Sequence, residues 1–247
     1  QPLHWLFRGL DPATEIRIEY SANGGASWTV VAGGLQAGAS PYNWFSSDEP
    51  SPECLWRIVW PANTNIWGAT EVFFTHLTRP LTYYVNDSFT NGDVYCTAPG
   101  RPDCSGYSSN CPLDSIQAVL DKFQLNGGDG IKVDTGEYVL SDSVRIDALN
   151  SGNETSRVYI VGSTNLAAGG SWLQPGPEMQ KPAFSIYKAH DFNLSYFRMS
   201  GFTNGVSFEE ESRDCTLADL DIQGSTGAGV DLNKSLSITL QRVVVRE

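Results

Sequence analysis

The chain has 247 residues, 40% of them hydrophobic and 11% aromatic, enough to bury two modest cores. Only 18% are charged, which suits strands and polar turns better than surface helices. The net charge of -12 leaves no basic stripe and excludes a nucleic-acid partner, and no apolar run approaches the roughly 20 residues of a membrane span.

Strand signals fill the first 78 residues. Leu3–Phe7, Glu15–Ser21, Ser27–Gly33, Pro41–Phe45, Cys54–Trp60 and Glu71–Leu77 are rich in aromatic and β-branched residues. In Glu15–Ser21, Ile16, Ile18 and Tyr20 share one face, and Arg17 and Glu19 the other. Asn23-Gly24-Gly25 supplies the turn that follows, because positive φ is cheap there. Short strands at this spacing predict a β-sandwich over residues 1–78. Trp5, Trp28, Trp44 and Trp56 fall inside strands and read as core. Trp60 and Trp67, in a loop, are the carbohydrate-binding candidates.

Residues 79–128 read as a linker with a Gly/Pro/Ser-rich loop and a helix. The helix is expected from Asp114 to about Gln124, with Asp114 as N-cap, Gln117 three residues on and Gly127 as stop. Ile116, Val119, Leu120 and Phe123 form its apolar stripe, placed to cover the end of a β core. Three of the five cysteines lie in the loop. No histidine accompanies them, so a disulfide is preferred to zinc, with Cys104–Cys111 as first pairing and Cys96 as competing partner. Four sequons begin at Asn86, Asn153, Asn193 and Asn233 and permit glycosylation. Gln1-Pro2-Leu3-His4 has no basic leader region, so the chain reads as processed or excised.

From residue 129 to 247 short strands recur. Val158, Phe184, Val206 and Val230 align at steps of about 22 to 26 residues, the scale of one solenoid coil. In Ala218–Gln223, Leu220 and Ile222 point one way and Asp219 and Asp221 the other.

Two resemblances follow. Ile18–Trp28, with a later Tyr-x-Trp and the Cys54–Ile58 strand, resembles immunoglobulin- or fibronectin-like modules of secreted bacterial proteins, minus their usual opening strand. The Tyr83-Tyr84-Val85-x-Asp87 opening, the Ser115–Asp121 helix, Gly128–Tyr138 and the later Gly-Val coil starts resemble right-handed parallel β-helix proteins. The implied fold class is all-β: a sandwich, then a right-handed parallel β-helix with a short capping helix. That group includes pectate lyases, other polysaccharide lyases and hydrolases, adhesins and surface proteins, so it implies fold more than chemistry.

Carboxylates projecting from one face would be needed for lyase or hydrolase work. The best cluster is Asp219, Asp221 and Asp231 with Arg213, near Glu209, Glu210, Glu211 and Arg198; its oxygens are also the calcium candidates. A solvated acidic face is the simpler reading. His190 beside Asp191 is a pair or a turn. No cofactor is required, calcium being the one ion the residues suggest. Both chain ends read as open strand edges. The expectation is a secreted, cell-surface structural or fibre subunit that self-associates and is not an enzyme. A truncated polysaccharide lyase or hydrolase and a glycan-binding adhesin module are the alternatives, with polysaccharide as partner.

Overall fold

A computed structural model describes residues 2–43, 51–65, 67–70, 74–76 and 80–247. Trp44, Phe45 and most of Glu71–Leu77 lie outside the described residues. Strands make up 43% of the structure and helix 6%, so the protein is mostly β. It divides into two compact units, Gln1–Thr78 and Arg79–Glu247.

The first unit contains β1 (Pro2–Leu3), β2 (Glu15–Ser21), β3 (Thr29–Gln36), β4 (Tyr42–Asn43), β5 (Ser51–Val59), β6 (Trp67–Ala69) and β7 (Phe74–His76). β2 lies between β3 and β5, β5 also pairs β6 and β7, and β1 pairs β4, all antiparallel. The alternation in β2 works as the sequence implies: Ile16, Ile18 and Tyr20 are buried. Tyr20 packs on Trp56 at 5.0 Å between ring centroids, and its hydroxyl lies 2.9 Å from the Cys54 thiol. Glu19, on the opposite face, is buried as well, because Arg17 and Arg57 close over its carboxylate at 2.6 and 2.5 Å. The expected strand Leu3–Phe7 is only two residues long. Beyond it, Trp5 is held by its indole N–H donating to the Ala37 carbonyl, and Leu6 is fully exposed.

The second unit holds β8 (Thr82–Val85), α1 (Ile116–Lys122), β9 (Gly130–Val133), β10 (Gly136–Leu140), β11 (Val144–Asp147), β12 (Val158–Val161), β13 (Ser171–Pro175), β14 (Phe184–Tyr187), β15 (Phe192–Ser195), β16 (Phe197–Ser200), β17 (Val206–Glu209), β18 (Thr216–Gln223), β19 (Val230–Asp231) and β20 (Thr239–Arg246). Every named pairing among these strands is parallel. One stack runs β8, β9, β12, β15, then the first halves of β18 and β20. A second runs β10, β13, β16, then the second halves of β18 and β20. A third runs β11, β14, β17, β19.

Register places like on like. Tyr83, Ile131, Ile160, Leu194 and Leu217 are successive partners, each at most 1% exposed. Tyr138, Leu173, Met199 and Ile222 form the matching column of the second stack, and Val144, Phe184 and Val206 that of the third. Burial of each such side chain contributes about 1.5–3 kcal/mol. Phe184, Val206 and Val230 are therefore aligned as the sequence suggests. Val158 is not in their column: it partners Phe192 in the first stack. Hydrophobic period alone does not say which stack a valine joins.

The corners between stacks repeat too. Lys188, Glu211 and Lys234 have positive φ, as do Asp191, Asp214 and Ser237, and Tyr196, Asp219 and Arg242. Within each set the step is 23 residues, matching the Asn193–Thr216–Thr239 register. Left-handed backbone is uncommon without glycine, so its recurrence in three columns is imposed by the stack.

Helix α1 buries Ile116, Val119 and Leu120 against β8, β9 and β11. Its N-cap is Ser115, not Asp114: the Ser115 hydroxyl accepts from the Ala118 N–H at 3.2 Å. Gln117 reaches instead to the Arg145 backbone. The helix ends at Phe123, whose extended backbone leaves Gly127 no role as a stop.

At Asp214, replacement by glycine is expected to change unfolding free energy by no more than about 1 kcal/mol. Valine there is expected to cost about 1–2 kcal/mol more than glycine, measured by urea unfolding, since a β-branched residue is strained at positive φ.

Candidate functional site

Two places in the second unit gather charged groups. One lies where the Cys-rich loop meets the first strands. The Val94, Tyr95 and Cys96 N–H groups donate to the Asp134 carboxylate at 2.7, 2.7 and 2.5 Å. Asp134 is fully buried at the end of β9. The buried Asn86 amide donates to Phe89 O, Asp93 Oδ2 and Ala98 O. Thr135 and Asn165 both donate to the Gly92 carbonyl. Cys104 and Cys111 form the disulfide of this loop. Cys96 is a buried free thiol, its backbone committed to Asp134 rather than to the Cys104–Cys111 turn. Burial, with Asp134 beside it, pushes the Cys96 thiol up and keeps it protonated and inert. Cys215, buried between strands, is pushed up to about 12 by the same cause.

These bonds make the loop a strap over the first strands. Leu113 bridges Val85, and Tyr84 bonds Gly106 and Leu113, so the outer edge of β8 is covered. Lys122 ties α1 to the Cys104 carbonyl at 3.0 Å. Tyr83, Tyr107 and Phe123 pack together under the strap.

The other place is a cavity of about 410 Å³ on the outer surface of the long strands, lined among others by Tyr196, Arg198, Asp219, Asp221, Arg242 and Arg246. Arg242 Nη2 donates to Asp219 Oδ2 at 2.7 Å, in a fork with its Nε on Oδ1. That guanidinium holds the Asp219 carboxyl below the usual carboxylate range, so Asp219 is a poor general base. Asp221 is the register partner of Arg198 and lies 3.6 Å from Arg246. Its Oδ1 makes no hydrogen bond. The 23-residue spacing of Tyr196, Asp219 and Arg242 in the sequence carries both the column and the fork, while alternation within a single strand shows neither.

The structure does not bring the four acid–base candidates together. Asp219 and Asp221 sit in the cavity. Asp231 is on β19 in a separate stack, and Arg213 is exposed at a corner beside Asp214. Among the described residues no group of three His, Cys, Asp or Glu side chains has metal-holding geometry, so the calcium candidates are not one site. Glu210 instead accepts from Tyr187 and pairs Lys188, both at the surface. His190 Nδ1 lies 3.0 Å from the Asp191 carboxylate.

Of the sequons, Asn86 is inaccessible: it is fully buried with its amide nitrogen fully engaged. Asn153 and Asn233 are exposed, and Asn193 is half-buried in β15, accepting from Arg157. In the first unit, Trp60 is half-buried and Trp67 is 56% exposed. Both line an open cavity of about 460 Å³, with Trp5 and Trp56. Trp56 is core as expected, while Trp5 and Trp28 are half-buried, the latter under the Arg57 guanidinium at 4.2 Å. Among the described residues no helix is long and apolar enough to cross a membrane, which leaves β-barrel insertion unaddressed.

No family model, curated protein or solved structure matches this chain.

Asp93 provides a pH test of the strap. Its Oδ1 is buried without a hydrogen bond. Burial, then the nearby Asp134 and Asp87, raise its pKa to about 6, against a lowering bond from Asn86. The unfolded chain titrates this carboxyl near 3.8. Between those values the folded form holds the extra proton, so this group's contribution to stability is full below about pH 4 and is lost as pH rises through about 6. Asp93→Asn is expected to flatten that slope in unfolding free energy measured from pH 4 to 7.

Proposed function

We propose that the chain is an extracellular, non-catalytic structural unit, built as a β-sandwich module followed by a right-handed parallel β-helix, and that it associates with a second copy of itself along an open strand edge. Three parallel stacks, in-register buried columns and corners repeating every 23 residues support the β-helix reading. The antiparallel sheet around Ile16, Ile18 and Tyr20 supports a sandwich-type first module. The Cys104–Cys111 disulfide supports an oxidising compartment.

One observation carries the association. Leu240 partners Leu217, yet is 46% exposed where Leu217 is 0%. Val245 partners Ile222, and is 54% exposed against 1%. The second edge of β20 has no strand partner among the described residues. At the other end, the strap and α1 cover β8. Pairing of β20 with the β20 of a second copy is the contact this proposal uses.

A catalytic role gains nothing from the geometry, since Asp219 is tied to Arg242 and Asp231 stands apart. A contribution from Trp60 and Trp67 to glycan contact is the secondary reading, supported by their shared cavity. Sedimentation equilibrium of the chain at micromolar concentration is expected to give twice the 27.0 kDa monomer mass. Leu240→Lys with Val245→Lys is expected to return it to monomer with unchanged circular dichroism. A native chain that stays monomeric contradicts the association.

A further inference from the structure

The cavity of about 460 Å³ in the first unit sits where a row of inward side chains ends on a glycine. Ile18 on β2 partners Ile58 on β5, and Ile58 partners Gly68 on β6, so the three share one face of the sheet. All three line the cavity. The neighbouring row is complete: Tyr20 partners Trp56, whose backbone N–H donates to the Thr70 hydroxyl at 3.2 Å. At Gly68 a β-carbon would meet nothing within 4 Å, and the backbone there is not left-handed. Neither crowding nor conformation calls for glycine at that position, and its effect is to leave a hole in the inner face. Residues 3–8 supply much of the remaining wall. Trp5 pins that segment through its indole N–H on the Ala37 carbonyl at 2.8 Å and its backbone N–H on Ser40 Oγ at 3.1 Å.

Two properties define what fits. Leu6, Phe7 and Trp67 are three of the four large hydrophobic residues exposed among the described residues of this unit, and all three line the cavity, so the exposed apolar surface gathers at one rim. The charge there has one sign. His4, Arg8 and Arg57 line the cavity and no Asp or Glu does among the described residues, in a protein with 28 acidic and 16 basic residues. Arg57 is spent on Glu19 at 2.5 Å and lies over the Trp28 ring. Arg8 is exposed, and its side chain makes no hydrogen bond or ion pair among the described residues. A hydrocarbon would leave that guanidinium unused, and a cation would meet like charge. A sugar would turn its hydroxyls toward Ile18, Ile58 and Trp56. An apolar body ending in one carboxylate suits both properties, with its tail on the aliphatic and indole wall and its anionic end on Arg8. The volume lies within the range of about 300–1,000 Å³ common to small-molecule sites.

We propose that this cavity binds an apolar monocarboxylate of the medium-chain fatty-acid class, with its tail over Gly68 and its carboxylate on Arg8. The site stands independently of the association along β20, and it differs in ligand from the glycan contact considered for Trp60 and Trp67. Titration calorimetry of the full chain with decanoate, and with 1-decanol, decylammonium and cellohexaose as comparisons, tests it. Decanoate is expected to bind most tightly of the four. Gly68→Leu is expected to weaken decanoate binding about tenfold or more, because the new side chain takes the space of the tail. Arg8→Gln is expected to weaken decanoate binding about threefold and to leave 1-decanol unchanged, a difference that a general loosening of the fold would not produce. Leucine at position 68 enters open space and is expected to keep the unfolding temperature. If it lowers that temperature, Arg8→Gln decides the matter, since its side chain is exposed and unpaired among the described residues. Absence of decanoate binding, tighter binding of any comparison compound, or decanoate binding indifferent to Arg8→Gln or to a stably folded Gly68→Leu overturns the proposal.

Discussion

A single buried carboxylate holds the start of the second unit together. Asp134 directly follows β9, and three successive backbone N–H groups, from Val94 to Cys96, converge on it. A neutral side chain could not satisfy all three, because an amide has one acceptor oxygen and two donors. Burial raises the stakes: each N–H left without a partner costs about 1–3 kcal/mol. Asp129, at the start of the same strand, works alongside it, taking the Leu81 and Asn126 N–H groups at 2.8 and 2.9 Å. The two acids bracket β9 and fasten to it the segments that cover β8. Parallel stacks expose a full strand edge at each end, and this strap is how the chain closes one of them.

Once the first layer is fixed, the rest follows by registration. Each strand in the three stacks takes its position from the one before, and the buried columns admit no one-residue slip without turning every inward side chain outward. The corners are the cost. Non-glycine residues accept left-handed backbone at Tyr196, Asp219 and Arg242, and the same geometry throws their side chains outward at one level. The Asp219–Arg242 fork is thus a by-product of the 23-residue repeat, and Leu166, exposed in the loop between β12 and β13, adds one apolar residue to the cavity beside it.

Much of this was legible in the residues. The alternation of Ile16, Ile18 and Tyr20, the stripe of Ile116, Val119 and Leu120, and the recurrence of Phe184 and Val206 all report burial, which periodicity encodes directly. What stayed hidden is polar and non-local. Glu19 looks solvent-facing by alternation, yet two arginines bury it. Asn86 reads as a sequon, but its amide is consumed by bonds to residues 3, 7 and 12 positions away. Asp114 and Ser115 are both good N-caps, and local sequence does not choose between neighbours. Proximity in sequence groups Asp231 with Asp219 and Asp221, whereas the corners carry it into another stack. Asp134 gives no signal, since Asp-Thr-Gly after a strand reads as an ordinary turn.

Hydrogen exchange at the Val94, Tyr95 and Cys96 amides, compared between the native chain and Asp134→Asn, tests the strap most directly. The account predicts slow exchange in the native chain, and in the variant a large acceleration at those three amides and at Tyr84 and Asn86 on the β8 edge, while Leu194 and Leu217 stay protected. Equal protection at residues 94–96 in both proteins would contradict it, and would mean that the loop is held without the carboxylate.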